Sequence, residues 1–422
     1  MFSPLLTWYQ QNGRDLPWRR TKDPYKIWLS EIILQQTRVE QGMDYYLRFT
    51  EAYPTVELLA SADEDEVMRL WQGLGYYSRA RNLHEAARQV VSRGGFPTSY
   101  AEIRTLKGVG DYTAAAIASF AYGLPHAVVD GNVYRVLSRF FGIATPIDTT
   151  AGKHQFSALA QEILPPKHAA LHNQAIMDLG ALICTPRSPQ CAACPLADAC
   201  IAHAENRPED FPVKAKRTQV RTRFLNYIFI TDGENILLHR RAKGDIWQGL
   251  YEPVLIETDS ECSLPDLLAR TSLSPFLTSD TTLTPLAADM THKLSHQNLR
   301  TWAYLLRTSR PLTSDTLPTT SDAVSTTSDP AAPYSVIPLS ELNNYALPRL
   351  ITRILEQSEC LNSHLSSNYS PSRRNTIKAH RAISVRLYYI CLMELILCFC
   401  CRSGCCFGSH FKRSGSSSCR RN

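Results

Sequence analysis

The chain has 422 residues, of which 44% are hydrophobic and 20% charged, so it is neither purely disordered nor collagen-like and should form more than one domain. Its longest apolar run, Leu387–Cys401, contains Glu394 and is too short for a membrane span. The first residues lack the basic segment and the cleavage site of a secretory signal. We therefore predict an intracellular protein that makes no membrane contact and keeps its cysteines reduced.

The formal net charge of +6 is unevenly distributed along the chain. Residues 361–422 hold ten Lys or Arg and one acidic residue, a formal +9, whereas residues 1–360 hold 35 basic and 38 acidic residues, a formal −3. Global charge therefore gives no argument for nucleic-acid binding. A polyanion has to be bound through local patches and backbone N–H groups.

Residues 1–204 have the periodicity of helices. Apolar residues recur at three- and four-residue spacing in Glu64–Leu74, Arg79–Val91 and Tyr112–Ala121, with Gly or Pro between the segments. In Lys26–Leu34 apolar residues cover nearly every face, which predicts a buried helix. This part of the chain is predicted to be a helical domain.

Glu31 lies within the predicted buried helix, on the face that carries Ile27 and Leu34. Removal from water raises the pKa of a carboxyl group, so Glu31 is a candidate general acid. The alternative is a structural carboxylate satisfied by a helix N-terminus or a nearby arginine. The sequence alone leaves both interpretations open.

A Gly-x-Gly turn, Gly108-Val109-Gly110, opens the next predicted helix. Two glycines allow backbone N–H groups to approach a phosphate closely, and the helix dipole adds attraction, although a plain packing corner has the same pattern. Asp130 precedes a further amphipathic helix that contains Arg135 and Arg139. It is a natural N-cap and could also face a developing cation, and these two roles are compatible.

Four of the 13 cysteines fall within 17 residues, with the spacing C-x6-C-x2-C-x5-C; they are Cys184, Cys191, Cys194 and Cys200. In a reducing compartment such a group predicts a metal site rather than a disulfide framework. Four thiolates suit either a cubane iron–sulfur cluster or one zinc ion, and spacing alone does not choose between them.

Beyond the helical domain the predicted organisation changes. Residues 205–222 form a basic linker, and residues 223–356 a second domain that opens with the hairpin strands Phe224–Ile230 and Asn235–Leu238. A Ser/Thr/Pro-rich stretch, 308–333, is predicted to be a disordered insertion, and the domain ends with an amphipathic helix near Leu347–Leu355. The Cys/Arg/Ser-rich tail, 357–422, is also predicted to be disordered. Lipid contact, metal binding and an altered reading frame remain open for it, and we favour the last.

Six linked motifs in residues 1–204 together resemble MutY-type adenine DNA glycosylases of the helix-hairpin-helix superfamily. They are Trp28-Leu29-Ser30-Glu31, Gln35-Gln36-Thr37, the segment 73–83, Leu106–Gly110, Val129–Val133 and the cysteine group. The resemblance implies a mostly α fold with two helical lobes, a [4Fe-4S] cluster in one lobe and the active site between them. An α+β Nudix-like domain follows. It also implies a monomer of the bacterial cytoplasm that binds double-stranded DNA with 8-oxoguanine:A or G:A mispairs.

The resemblance also assigns roles to single residues. Glu31 protonates adenine, Asp130 stabilises the sugar oxocarbenium ion, and Tyr112 with Asn132 orders Asp130 and the substrate. Gln36 and Tyr76 match residues that wedge into the base stack as adenine flips out, Arg19 and Gln174 match the base pocket, and Gly108, Val109 and Gly110 match the phosphate-binding hairpin.

In the second domain no Glu-rich metal box follows Gly249, so lesion binding is predicted rather than Nudix hydrolysis. Leu294-Ser295-His296 resembles the family's Phe-Ser-His loop, with Leu294 in place of Phe, which makes Ser295 and His296 candidates for lesion recognition. An exposed hairpin edge is the alternative.

Two rival functions stay open. One is an endonuclease III-like pyrimidine-lesion glycosylase, whose Schiff-base Lys is replaced here by Tyr112. The other is a non-catalytic iron–sulfur protein that binds DNA or senses redox state.

Overall fold

A computed structural model of the chain describes residues 3–215, 220–269, 273, 276–277, 281–313 and 334–358. As predicted, residues up to 204 are helical. The α-helices there are α1 (Ser3–Asn12), α2 (Pro24–Leu34), α3 (Val39–Ala52), α4 (Val56–Ser61), α5 (Glu64–Leu70), α6 (Ser78–Ser92), α7 (Tyr100–Ile103), α8 (Asp111–Tyr122), α9 (Gly131–Phe140), α10 (Thr150–Glu162), α11 (Ala169–Leu182) and α12 (Ile201–Ala204).

Two apolar cores divide the helical domain into lobes. The first lobe packs residues 16–128 around side chains such as Trp28, Phe49 and Trp71. The second lobe packs α1 against residues 133–196, with Phe156 and Leu179 fully or almost fully buried. The chain crosses from the first lobe to the second at Asp130, so the start of α9 lies at the boundary between them.

Helix α2 forms where the sequence provides a start signal followed by apolar residues. The Asp23 carboxylate accepts a hydrogen bond from the backbone N–H of Tyr25, and Pro24 occupies the first turn, where its missing N–H costs nothing. Residues Ile27–Ile33 are all buried. The predicted buried helix is therefore confirmed, with a start two residues earlier.

The helix predicted for Glu64–Leu74 ends at Leu70, four residues early. Gly73 and Gly75 both have positive φ, and the Trp71 indole N–H donates to the Gly75 carbonyl at 3.0 Å. A closed turn with left-handed glycines takes the place of the last helical turn. Trp71 and Leu74 lie in this turn and are buried, so the apolar spacing of the helix continues past its last residue. This continuation explains why the predicted helix is too long.

The second domain is built on one mixed sheet. Its strands are β1 (Arg221–Thr231), β2 (Asn235–Arg240), β3 (Tyr251–Glu252), β4 (Val254–Thr258), β5 (Thr282–Lys293), β6 (Gln297–Arg307) and β7 (Tyr334–Pro338), and its helices are α13 (Leu264–Leu268) and α14 (Arg349–Gln357). The order is β3-β2-β1-β6-β5, with β4 also paired to β1 and β7 to β2. Only β1 and β6 run parallel among these described pairs. The predicted opening hairpin and final helix are both present.

Three predicted boundaries differ from the structure. Strand β1 begins at Arg221, inside the predicted linker, and the earlier linker residue Phe211 is buried against the helical domain. At the start of the predicted insertion, Leu312 packs into the sheet core and its N–H donates to Asp232 at 2.8 Å. Helix α14 continues to Gln357, the first residue of the predicted tail. Residues 314–333 and 359–422 lie outside the described residues.

The helical and sheet domains share a buried contact. Leu250 and Ala346 of the sheet domain are fully buried in the first lobe's core. Around them, Arg240 pairs with Asp65 at 3.0 Å, the Tyr251 hydroxyl lies 3.3 Å from Asp65, and Arg81 donates to the Gln248 carbonyl.

Within the part of the chain that the structure describes, no helix is long and apolar enough to cross a membrane.

Candidate active site

Glu31 and Tyr112 meet at the boundary between the lobes. Glu31 projects from α2 and Tyr112 from the first turn of α8, and the Tyr112 hydroxyl donates to Glu31 Oε2 at 2.7 Å. Glu31 is only 7% exposed. The contact therefore fixes one carboxyl oxygen of Glu31.

Burial raises the pKa of Glu31 to about 7, against an ordinary value of 4.5. The Tyr112 hydrogen bond and the Arg19 charge lower this pKa, and the Asp130 charge raises it. Desolvation is the largest of these effects and decides the direction. At neutral pH a large fraction of Glu31 therefore carries a proton that it can donate.

Asp130 caps the N-terminus of α9. Its Oδ1 accepts from the Val133 N–H at 2.8 Å, and its Oδ2 accepts from the Asn132 side-chain N–H at 2.7 Å. The pKa of Asp130 is raised above its ordinary value, because the effect of burial exceeds that of the two hydrogen bonds, which favour the ionised form. Asp130 thus accepts hydrogen bonds from two N–H donors, whereas Glu31 accepts one, from the Tyr112 hydroxyl.

Asn132 is held in turn by Arg135. The side-chain Oδ1 of Asn132 accepts from Arg135 Nη2 at 2.8 Å, and Arg135 also donates to the backbone carbonyls of Gly180 and Cys184, each at 2.6 Å. A Cβ on Gly180 would come within 2.6 Å of the Asn132 Cβ, so glycine permits this close approach of α11 to α9.

Arg19, predicted for the base pocket, is bound to Asp178. Its guanidinium donates to both Asp178 oxygens, at 2.7 and 2.8 Å, and Arg14 adds a second pair of donors. Burial raises the pKa of Asp178, but the hydrogen bonds from Arg19 and Arg14 outweigh it and the pKa is lowered. Gln174, one turn before Asp178 on α11, accepts from the Tyr9 hydroxyl at 3.0 Å.

The two predicted wedge residues stand at turns with left-handed backbone. Gln36 has φ 56° and follows α2, while Tyr76 has φ 49° and precedes α6. Both side chains are exposed, and Tyr76 is among the most exposed large apolar residues described. Non-glycine residues rarely adopt this conformation, so both turns are constrained by their surroundings.

The predicted phosphate-binding hairpin directly precedes α8. Gly108 has φ 72°, and a Cβ there would come within 2.7 Å of the Asn82 Cβ. Gly110 is the N-cap, and a Cβ added to it would have no neighbour within 4 Å, whereas Val109 is buried. The Val109 N–H donates to the Leu106 carbonyl at 3.1 Å, and the hairpin leads directly into the first turn of α8, which contains Tyr112.

Ser295 and His296 form a separate group in the sheet domain. They occupy the β5–β6 turn, which is closed by a hydrogen bond from the Leu294 N–H to the Gln297 carbonyl at 2.7 Å. Both are exposed, and Ser295 Oγ lies 3.2 Å from His296 Nδ1. The structure brings Glu31, Tyr112, Asp130, Asn132 and Arg19 together, and it places this turn in the other domain.

The four cysteines surround one edge of the second lobe. Cys184, Cys194 and Cys200 pack against its apolar core, and Arg139 Nη1 lies 3.3 Å from the Cys184 sulfur. Burial raises the pKa of the Cys194 thiol to about 11, so iron or another cation has to stabilise its thiolate at neutral pH.

Among the described residues no three His, Cys, Asp or Glu side chains converge closely enough to hold a single metal ion. In a cubane cluster each thiolate binds a different iron. Four cysteine thiolates with no histidine among them are a donor set that fits such a cluster.

Sequence reasoning assigned no role to Asp178, Arg135 or Arg79. Asp178 is a charged residue on the largely apolar helix α11, and that contrast is the signal in the sequence that could have marked it as a functional residue. Arg135 lies on the same helix as the recognised Asp130, but its partners are backbone carbonyls that no motif identifies. Arg79 also binds backbone carbonyls, from two separate segments.

Three family models match the chain in order. Residues 29–166 match the HhH-GPD superfamily base excision DNA repair protein, residues 184–200 the iron-sulfur binding domain of endonuclease III, and residues 226–357 the NUDIX domain. These matches confirm the predicted fold class, a helix-hairpin-helix glycosylase domain followed by a Nudix-like domain. They also confirm the predicted [4Fe-4S] cofactor, since the matched segment begins at Cys184 and ends at Cys200.

Curated proteins named adenine DNA glycosylase are similar to the chain over long stretches. Adenine DNA glycosylase of Buchnera aphidicola subsp. Baizongia pistaciae is 33% identical over 305 residues, covering 71% of this chain and 83% of that protein. Adenine DNA glycosylase of Rattus norvegicus is 47% identical over 210 residues, covering 47% of this chain and 41% of that protein. A solved thermostable thymine-DNA glycosylase is 33% identical, covers 48% of this chain and 94% of its own, and has a TM-score of 0.45. With both domain models matched in order and most of the Buchnera protein covered, the chain belongs to the adenine DNA glycosylase family.

Proposed function

We propose that this protein is a monofunctional DNA repair glycosylase that hydrolyses the N-glycosidic bond of adenine mispaired with 8-oxoguanine or guanine. The observation that carries the proposal is the buried Glu31, held by Tyr112 and within electrostatic reach of Asp130, with a pKa of about 7. Its relatives named adenine DNA glycosylase include two bacterial proteins of Buchnera, so we place its action in a bacterial cytoplasm.

Glu31 acts as the general acid. A protonated Glu31 donates to a ring nitrogen of the flipped adenine, which turns the base into a neutral leaving group. Tyr112 fixes one carboxyl oxygen, so the other is free to face the base. The burial that raises the Glu31 pKa also makes the proton available at neutral pH.

Asp130 supports the sugar. As the glycosidic bond breaks, positive charge develops on the sugar ring, and a carboxylate held in place stabilises that charge without reorganisation. The N–H donors of Asn132 and Val133 favour the ionised form of Asp130 and fix its direction. We therefore assign proton donation to Glu31, for which desolvation is the dominant effect, and stabilisation of the sugar cation to Asp130, whose ionised form two N–H donors favour.

Double-stranded DNA is the partner, and the base has to leave the stack to reach Glu31. The hairpin Gly108-Val109-Gly110 presents backbone N–H groups to a phosphate, and Gln36 with Tyr76 fills the space that adenine leaves. Tyr112 stands where endonuclease III has its Schiff-base lysine. Its side chain carries no amine, so it cannot form the covalent Schiff-base intermediate. This favours a monofunctional enzyme over the lyase alternative.

Single-turnover kinetics tests the proposal. The substrates are duplexes with adenine opposite 8-oxoguanine, guanine or thymine and a duplex with thymine glycol. We expect adenine release from the first two and no borohydride-trapped adduct. Glu31→Gln should slow release by roughly 10²–10⁴-fold with little change in duplex affinity, since it removes the proton and keeps the shape. A variant within about tenfold of wild type contradicts the assignment of Glu31.

Lesion reading by Ser295 and His296 has its own test. 8-Oxoguanine differs from guanine by an N7–H donor and an O8 acceptor, which a hydroxyl and an imidazole can both meet. Ser295→Ala/His296→Ala should cost about 1–3 kcal/mol of preference for 8-oxoguanine over guanine in duplex binding. Undiminished preference means that the lesion is read elsewhere.

A further inference from the structure

Arg79 is a buried arginine whose hydrogen-bonding partners are backbone carbonyls. It lies in the first turn of α6 and is 9% exposed. Its Nη1 donates to the carbonyls of Ile32, Ile33 and Gln35, at 2.9, 3.0 and 2.5 Å, and its Nη2 donates to the Gly75 carbonyl at 3.2 Å. The side chain therefore joins two segments that are distant in sequence.

Both segments end in a wedge residue. The carbonyls of Ile32, Ile33 and Gln35 belong to the C-terminal end of α2, directly before Gln36. The Gly75 carbonyl directly precedes Tyr76, and the Arg79 guanidinium lies 5.5 Å from the centre of the Tyr76 ring. One guanidinium thus binds the peptide units that lead into both left-handed turns.

A buried cation is an expensive way to fill this space. Burial lowers the pKa of Arg79 to about 10, so the group stays charged at neutral pH. No carboxylate among the residues with described side chains forms an ion pair with it, and its Nε has no hydrogen-bond partner there. The charge is stabilised instead by helix C-terminal carbonyls and by the faces of Trp71 and Tyr76. An apolar side chain would fill the volume without this desolvation cost, but it could not bind both segments.

We propose that Arg79 is a positioning residue for base flipping, which holds the turns of Gln36 and Tyr76 in one fixed arrangement so that both side chains enter the base stack together. This inference rests on the proposed function. It adds to that function a residue that touches neither the adenine nor the reacting atoms. A small displacement of a positioned group can cost as much as its removal, so loss of Arg79 should impair the flipping step.

The test separates flipping from chemistry with two substrates. In one duplex 2-aminopurine replaces the target adenine opposite 8-oxoguanine, and its fluorescence reports departure from the stack. Adenine release is then followed in single turnover from an 8-oxoguanine:A duplex and from a duplex with adenine opposite a tetrahydrofuran spacer, where no pairing has to be broken. Arg79→Lys and Arg79→Met are compared with Arg88→Met, which alters an exposed arginine of the same helix that donates to the Ala60 carbonyl.

We expect both Arg79 variants to slow the fluorescence change and release from the 8-oxoguanine:A duplex by at least about tenfold, and release opposite the spacer by less than roughly threefold. Lys keeps the charge but lacks the two-armed fork, so it should not restore flipping. Arg88→Met should behave as wild type. In a protein that already carries Tyr76→Ala, Arg79→Lys should slow flipping by a smaller factor than it does in the wild-type protein, because the two residues act through the same turn.

Two results overturn the inference: flipping by Arg79→Lys at the wild-type rate, or equal losses on both duplexes that match a loss of folded, cluster-containing protein. Thermal unfolding and the visible absorbance of the cluster report the folded fraction. The proposed function has a separate point of failure, since it is refuted if wild-type protein releases adenine from neither duplex.

Discussion

At the scale of single residues, the burial of Glu31 has two opposite consequences. Removal from water raises the pKa of Glu31 to about 7, which supplies a proton for the proposed chemistry. The same burial lowers the stability of the folded protein at higher pH, where the carboxylate is charged and poorly solvated. Tyr112 reduces the penalty with its hydrogen bond. Activity and stability should therefore depend on pH in related ways.

The first prediction concerns the pH profile of adenine release. Because protonated Glu31 is the active form, the single-turnover rate should fall about tenfold per pH unit above pH 7. Tyr112→Phe removes a donor that lowers the Glu31 pKa, so the falling limb should move to higher pH even if the maximum rate drops. A limb at the same pH in wild type and Tyr112→Phe would show that another group titrates.

The second prediction concerns stability. The folded-state pKa of Glu31, about 7, lies above its ordinary value of 4.5, so the folded protein binds the proton more tightly and loses stability as pH rises from about 4.5 to 7. The full loss, on the order of 3 kcal/mol, is present above pH 7. Glu31→Gln should therefore raise the thermal midpoint at pH 8 and change it little at pH 4.5.

The control for this stability change is Glu51→Gln, at an exposed position on α3. It should leave the midpoint unchanged at both pH values. If Glu31→Gln lowers the midpoint at pH 8, then Glu31 contributes to stability there and the burial argument fails.

At the scale of secondary-structure elements, the candidate site is assembled from helix starts. Tyr112 lies in the first turn of α8, Asp130 caps α9, and the phosphate-binding hairpin is the N-terminal end of α8 itself. Helix N-termini offer unpaired N–H groups and the positive end of the helix dipole. Both features suit a DNA phosphate at α8 and the Asp130 carboxylate at α9.

The third prediction separates the two glycines of that hairpin. Gly108→Ala forces a residue with a Cβ into positive φ and against Asn82, so it should lower both the thermal midpoint and duplex affinity. Gly110→Ala meets open space at ordinary φ, so it should lower the midpoint less than Gly108→Ala does, although alanine is a poorer N-cap than glycine, and it should reduce affinity by crowding the phosphate. Circular dichroism melts and fluorescence-anisotropy titrations measure the two effects. Equal effects of both variants on the midpoint would contradict this division.

At the scale of the whole molecule, the sheet domain is attached to the first lobe by buried apolar contact and by surface charges. Leu250 is fully buried in the helical core, whereas the pair between Arg240 and Asp65 is partly exposed on both sides. A buried leucine contributes about 2–5 kcal/mol by truncation to alanine, and an exposed ion pair contributes about 0.2–1 kcal/mol. Apolar contact should dominate the attachment.

The fourth prediction follows from those magnitudes. Leu250→Ala should loosen the sheet domain, reduce the preference for 8-oxoguanine over guanine and separate the thermal transitions of the two domains. Arg240→Ala should change each quantity much less, and its effect should shrink further at high salt. Calorimetry and paired single-turnover rates provide the measurements. A larger effect from Arg240→Ala would mean that charge, not burial, holds the domains together.

The sequence by itself determined the helical and sheet domains, the cysteine group, and Glu31 and Asp130 as carboxylates with special surroundings. These features are local: periodicity, spacing and capping signals are readable within a few residues. Only the tertiary structure decided that Tyr112 binds Glu31, that Asp178 holds Arg19, and that Arg79 joins two turns. The residues of these pairs are far apart in sequence: 81 positions separate Tyr112 from Glu31, 159 separate Asp178 from Arg19, and 44 separate Arg79 from Gln35. Arg79 also binds backbone carbonyls, which every residue possesses and no sequence pattern marks.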